Sequence, residues 1–327
     1  GNARCGQGEY LVAEVDESDG SLVKLHPTIG VITNIELDHP DHFQSLEQVV
    51  EVFQQYARQS EIVVASLDCP TIAAHIPVDI GYSIAGHPDA RIRADNVRYL
   101  GHGTVADIWE GDRCLGELHV RLLGAHNLSN ALAVVAVARH LGVEFEAIAK
   151  GIASFGGAKR RFEIRGQVNG VTFVDDYAHH PTELEATLTA AKLQQRRVVA
   201  IFQPHRYSRT TLLFDEFAEA LALADLTVLV PIYSAGESPS LGREECSAEA
   251  LAQHVRGRAR ASANRVGAIQ PEVHYEAELT QIPQRLAGMI RDGDLVLFLG
   301  AGNLNQSIPA AIAAYENSIE PLEALAS

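Results

Sequence analysis

The second half of the chain alternates short apolar runs with longer stretches of helical spacing, and that alternation leaves few folds open. Runs at 171–174, 198–202, 227–230, 273–275 and 294–299 are too short for helices and rich in Val, Leu, Ile and Phe. Stretches at 181–192, 211–223, 248–256, 279–290 and 305–315 space their Leu, Ile and Ala as a helix does. Strands that alternate with helices pair in parallel, with the helices crossing over the faces of the sheet. The run at 171–174 also closes a hairpin with 163–168 through Asn169-Gly170, a dipeptide suited to a two-residue turn. The first half begins in the same way, with apolar runs at 10–15, 29–33 and 61–66 and a helix at 46–58. Between 82 and 122 short alternating runs separated by Gly-Asp and Gly-His turns predict antiparallel strands, followed by helices at 127–141 and 145–153. The expected class is α/β in two domains, 1–160 and 161–327, with the break at 156–161, where the periodicity lapses.

At 327 residues there is room for two cores, and 46% apolar with 21% charged residues is a soluble globular composition. Acidic residues outnumber basic ones 42 to 26, a formal charge of −16, and no block of Lys or Arg stands out. That argues against nucleic acid or an anionic membrane as the main partner, although a few local arginines suffice to hold a small anion. No apolar run reaches the roughly 18 residues of a membrane span. Cys5, Cys69, Cys114 and Cys246 form no C-x-x-C pair, which fits a reducing compartment. The sequence opens at Gly1, and its single methionine is Met289. A cytoplasmic protein with further sequence upstream is therefore expected.

Several stretches carry chemistry. Asp175-Asp176-Tyr177-Ala178-His179-His180 lies where a strand meets a helix opened by Pro181, Thr182 and Glu183, the edge at which α/β proteins bind ligands. An ordinary helix cap explains the same residues. Glu14, followed by Asp16 and Glu17, closes one apolar run, and Asn34 to His42 closes the next. Carboxylates there suit a hard divalent ion: magnesium, with His39 acting through water, or manganese, with His39 as a ligand. Asp38-His39-Pro40-Asp41-His42 also fits a metal-dependent hydrolase, or simply a solvated loop. Asn127 and Asn130 share a helix face, and either cap the helix or read a base edge. Arg206 and Arg209, also three apart, form a carboxylate or phosphate clamp or else surface ion pairs. Leu299-Gly300-Ala301-Gly302-Asn303 is half of a dinucleotide fingerprint, and a tight turn or an anion contact reads equally well.

Taken in order, AEVDESD (13–19), TNIELDH (33–39), GAHNLSN (124–130), KRRFE (159–163), DDYAHHPTE (175–183), FQPHRYSRT (202–210), YSAGE (233–237) and LGAGN (299–303) resemble the Mur ligases of bacterial cell-wall synthesis. The resemblance covers nearly the whole chain. It implies the later part of a P-loop-type central ATPase domain with an antiparallel section, followed by a Rossmann-like doubly wound C-terminal domain. Within the family the motifs are most similar to members that join L-alanine to UDP-N-acetylmuramate using ATP, through an acyl phosphate; the tripeptide-adding recycling ligases are the alternative. By resemblance, Glu14 and His39 belong to a magnesium site, Asn127 and Asn130 lie by the adenine, and Arg161 and Asp176 contact the phosphate and ribose side. His179, Arg206 and Arg209 hold the amino acid and the acceptor carboxylate or its acyl phosphate. No G-x-x-x-x-G-K-[ST] loop occurs in the sequence; in the family it lies upstream, with the UDP-binding domain. Residues 1–327 alone are therefore expected to lack turnover, a binding module at most.

Overall fold

The computed structural model describes residue 3 and residues 5–40, 42–263 and 271–323. Apolar runs and helices build two six-stranded sheets, whose parallel strands are covered on both faces. The first sheet has the order β1 (Ile29–Ile32), β2 (Ile62–Ser66), β3 (Ile80–Ser83), β4 (Ile92–Leu100), β5 (Gly103–Glu110) and β6 (Arg113–Val120). The pairs from β1 to β4 are parallel and those from β4 to β6 antiparallel, as the change of texture at 82–122 predicts. Side chains alternate across a strand. Val63 and Ala65 of β2 therefore join one apolar cluster with Ile32 and with Val49, Val50 and Tyr56 of α1 (Leu46–Gln59) and Ile72 of α2 (Pro70–His75). Val64 points the other way, to a cluster with Leu128, Leu132 and Val135 of α3 (Ala125–His140) and Ile148 of α4 (Phe145–Ser154).

Residues 155–162 pass to the second sheet. There β7 (Glu163–Val168) pairs antiparallel with β8 (Val171–Asp176) across the Asn169-Gly170 turn, both of whose residues adopt positive φ (44° and 78°). The remaining strands are parallel: β9 (Val198–Phe202), β10 (Leu226–Leu229), β11 (Glu272–Tyr275) and β12 (Leu295–Leu299), in the order β11-β10-β9-β12-β8-β7. On one face α5 (Pro181–Lys192), α7 (Phe214–Leu221) and α8 (Ala248–Ala263) cover Val174, Ala200 and Leu297. On the other, α9 (Ile282–Ala287) and α10 (Ile308–Glu323) cover Phe173, Ile201 and Phe298. Each fully buried Phe or Leu contributes about 1.5–3 kcal/mol by leaving water. Because β12 inserts between β8 and β9, the carboxyl ends of these three strands lie side by side. They deliver the Asp176, Gln203 and Gly300 segments to one edge, where open α/β sheets bind ligands.

Three local expectations are corrected. Residues 10–15 form no strand: among the described residues no strand pairs with this stretch, and Leu11 and Val12 are 92% and 93% exposed. An apolar run without a hydrogen-bonding partner has no ladder to join. The expected helix at 211–223 begins earlier, as α6 (Tyr207–Leu212), and bends at Leu213 into α7, which turns Phe217 and Leu221 into the core. The stretches at 279–290 and 305–315 each open with a turn of 3-10 helix, Leu279–Gln281 and Leu304–Ser307, and the α-helical part follows with Pro283 or Pro309 near its start, where a missing N–H is harmless. Among the described residues no helix is long and apolar enough to cross a membrane.

Candidate active-site cleft between the two sheets

The end of β8 is organised by carboxylates that turn inward. Asp175, fully buried, faces the guanidinium groups of Arg160 (3.3 Å) and Arg165 (3.2 Å). Asp176 accepts hydrogen bonds from the amides of Phe162 (2.7 Å) and Ala178 (2.8 Å), and burial pushes its carboxyl above the usual range. Asp176 thus ties the 160–162 turn to the start of α5. Arg160 and Phe162 there carry positive φ (57° and 49°), strain of the kind that clusters at binding sites. Arg161 is presented beside Glu183 (3.3 Å) and above the Tyr177 ring (5.8 Å). His180 caps α5: its Nδ1 accepts from the Thr182 amide while the Glu183 carboxylate accepts from the amides of His179 and His180.

Asn127, Asn130, Arg161 and Asp176, which come from three separate motifs, line one cleft of about 1140 Å3 between the sheets. Gly124 (φ 92°) starts α3, and the Asn127 amide donates to the Leu123 carbonyl (2.8 Å), so Asn127 also braces that turn. Across the cleft Thr182 donates to Glu36 (2.7 Å), with His180 3.6 Å from the same oxygen.

His179, Arg206 and Arg209 gather in an adjoining cluster that sequence reading left incomplete. The His205 ring stacks on Tyr233 (5.7 Å) and meets His179 edge-on (5.7 Å). Arg206, at φ 70°, precedes α6, and its guanidinium lies 4.0 Å from Glu237. Glu237 accepts from the amide and hydroxyl of Ser208, an acidic cap on α6. Arg209 turns away, with Nη1 at His205 (3.3 Å) and with Nε and Nη2 donating to Asp38 of the first half (2.8 and 2.7 Å). The two arginines therefore flank His205 rather than forming one parallel clamp. His205 and Glu237 sit in the HRYSR and YSAGE motifs, which the parallel bridge between His205 and Tyr233 and the Ser208–Glu237 hydrogen bonds bring together.

Burial first, then the positive fields of His179, Arg209 and Arg206, hold the His205 imidazole down to about 4 from its ordinary 6.5. The unfolded chain binds a proton where the folded one does not, so stability is full above pH 6.5 and declines as pH falls towards 4. His205→Gln should flatten that decline, measured by urea unfolding at pH 7.5 and 5. An unchanged slope would count against this account.

The Gly300-Ala301-Gly302 segment packs against protein. A Cβ on Gly300 would lie 2.7 Å from the Gln203 carbonyl, and one on Gly302 would collide with the Gln203 side chain and with Tyr233 (2.9 Å). Gln203, buried, accepts from the Leu304 amide and donates to Asn303, locking the ends of β9 and β12 together. Of the readings left open for this stretch, the tight turn is the one its contacts fit.

In the first half Asp16, Glu17 and His39 bring ligand atoms within 4.8 Å of one another. His39, at φ 54°, lies 3.6 Å from Glu17, 3.9 Å from Asp16 and 3.7 Å from Asp38. Burial, with Asp16 and Asp38 adding repulsion, raises the Glu17 carboxyl above its usual range. Two mutually repelling carboxylates with an imidazole beside them fit a hard divalent ion. Glu14 lies on the exposed 10–15 stretch, outside this group. Among the described residues of 38–42, no hydrolase-like metal cluster forms. Asp38 is held by Arg209, His42 packs on Phe43 (4.6 Å), and Asp41 lies outside the described residues.

The model of the Mur ligase middle domain matches residues 2–138, and that of the Mur ligase glutamate ligase domain matches residues 160–302. A UDP-N-acetylmuramate–L-alanine ligase of Synechococcus sp. (strain JA-3-3Ab) is 56% identical over 316 residues, 96% of this chain and 59% of that protein. The ligase of the same name in Nostoc punctiforme is 54% identical over 96% of this chain and 63% of its own length. The chain thus spans about three-fifths of the curated relatives it matches. The crystal structure of a UDP-N-acetylmuramate-alanine ligase from Thermotoga maritima, 24% identical, superposes with a TM-score of 0.72 over 93% of this chain and 63% of that one, a likeness of fold.

Proposed function

The chain belongs to the Mur ligase family, and from that premise we propose that it is the middle and C-terminal part, divided at 160/161, of a cytoplasmic ligase that joins L-alanine to UDP-N-acetylmuramate with ATP during peptidoglycan synthesis. The observation that carries the proposal is the convergence of Asn127, Asn130, Arg161 and Asp176 on one cleft, with the His179–His205–Arg209 cluster adjoining it. In this reading the asparagine amides face the adenine and Arg161 the phosphates. Asp176 sets the Arg161 turn and faces the ribose side. Asp16, Glu17 and His39 would hold magnesium or manganese, which neutralises charge on the transferred phosphoryl group. Phosphoryl transfer asks for positioning and charge neutralisation rather than a nucleophilic side chain.

Arg206 and Arg209 supply positive charge for the carboxylate of the incoming alanine, for the acceptor carboxylate and for the acyl phosphate that ATP makes of it. Burial keeps His179 neutral near pH 7, so its imidazole can take the proton that the alanine ammonium loses before its nitrogen attacks, whereas His205, held down to about 4, is the poorer acceptor. Phosphate then leaves and the amide forms.

The test is phosphate release by the protein at its full encoded length. Release is expected only when UDP-N-acetylmuramate, L-alanine and magnesium–ATP are all present. Equal turnover without amino acid would sink the proposal, and a preference for the tripeptide over L-alanine would move the protein to the recycling ligases.

A further inference from the structure

We infer that Asp38 is a positioning residue of the ligation, an inference that rests on the function proposed above. Asp38 belongs to the loop after β1 and reaches across to α6 of the second half. Its Oδ1 accepts from both Nε and Nη2 of Arg209, at 2.8 and 2.7 Å. Arg209 is only 2% exposed, so its guanidinium has no aqueous alternative to this partner. A guanidinium is planar, and fixing its Nε–Nη2 edge fixes where the remaining N–H groups point. Here that leaves Nη1 at His205, inside the cluster with His179 and Tyr233.

The same Asp38 oxygen accepts from the backbone amide of His39 at 2.6 Å, and the other oxygen lies 3.7 Å from the His39 ring. A single carboxylate therefore joins the Asp16–Glu17–His39 group of the first half to the buried arginine of the second. Two residues earlier in the same loop, Glu36 accepts from Thr182 at the start of α5, so the loop grips the second half at two points. Asp38 touches no reacting atom in this scheme. It orients Arg209, and it does so only while the two halves are closed upon each other.

The experiment compares Asp38→Asn, Arg209→Lys and the double variant in the full-length protein. Asp38→Asn keeps the size of the side chain, and Arg209→Lys keeps the charge but loses the fork. Each single variant should raise KM for L-alanine about tenfold or more and leave KM for ATP within about threefold, the split of a misplaced amino-acid clamp. The double variant should be no worse than the poorer single one, because either change breaks the same contact. The same cycle run on melting temperature, without nucleotide or metal, should be non-additive as well. Additive effects in both cycles, or KM values for alanine and ATP that rise together, would overturn the inference. Wild-type protein that shows no alanine-dependent turnover would instead overturn the function on which it rests.

Discussion

Arg209→Ala is expected to destabilise the protein by about 3 kcal/mol and to lower kcat/KM on the order of 10²-fold or more. The stability loss follows from burial. Arg209 is almost wholly enclosed, and its removal leaves the Asp38 carboxylate, itself mostly buried, near Glu17 without its guanidinium partner. Burial alone would raise the Asp38 carboxyl; Arg209, with the His39 amide, overcomes it and holds the group below the usual range. A lowered carboxylate contributes stability above its unfolded value of 3.8 that disappears as pH falls through the folded value. In Arg209→Ala that contribution vanishes at neutral pH too. Urea unfolding at pH 7 and kcat/KM with all three substrates check both parts. A midpoint within error of wild type would refute the role of the ion pair, and unchanged kcat/KM the role in ligation.

Glu17→Gln separates function from stability in the opposite sense. Burial and two neighbouring carboxylates raise the Glu17 group, so the folded state binds its proton more readily than the unfolded chain. Its charge therefore costs stability as pH rises above 4.5. Replacing it by Gln should leave the metal-free protein at least as stable as wild type near pH 7. The variant should nevertheless lose on the order of 10²–10³ in turnover if, as proposed, Glu17 helps hold the ion that neutralises charge at the phosphoryl group. Magnesium at about 100 times its dissociation constant should stabilise wild type by about 2.7 kcal/mol and the variant by far less. Equal magnesium-dependent shifts in melting temperature would remove Glu17 from the metal site.

Much of this architecture was legible in the order of residues because its signals are local. The Asn169-Gly170 hairpin, the start of α5 at Pro181 and the span of β9 need only period, turn chemistry and the rule against Pro inside a helix. The antiparallel section of the first sheet showed itself as alternation broken by glycine turns. Apolar pattern misled at 10–15, because a strand is defined by its partner and no local signal supplies one.

Sequence by itself determined the two α/β sheets, the strand ends that carry polar residues and the family the motifs point to. Which of those ends meet was decided by tertiary structure. Asp38 and Arg209 stand 171 positions apart, and His205 and Tyr233 belong to different motifs, yet each pair is in contact. Inserting β12 between β8 and β9 places the DDYAHHPTE, FQPHRYSRT and LGAGN segments on one edge, and folding the first sheet's loop onto α5 and α6 closes the cleft. Burial then shifts the carboxyls of Glu17 and Asp176 upward and the imidazole of His205 downward, because an ionisable group feels the whole surrounding volume and not its neighbours along the chain.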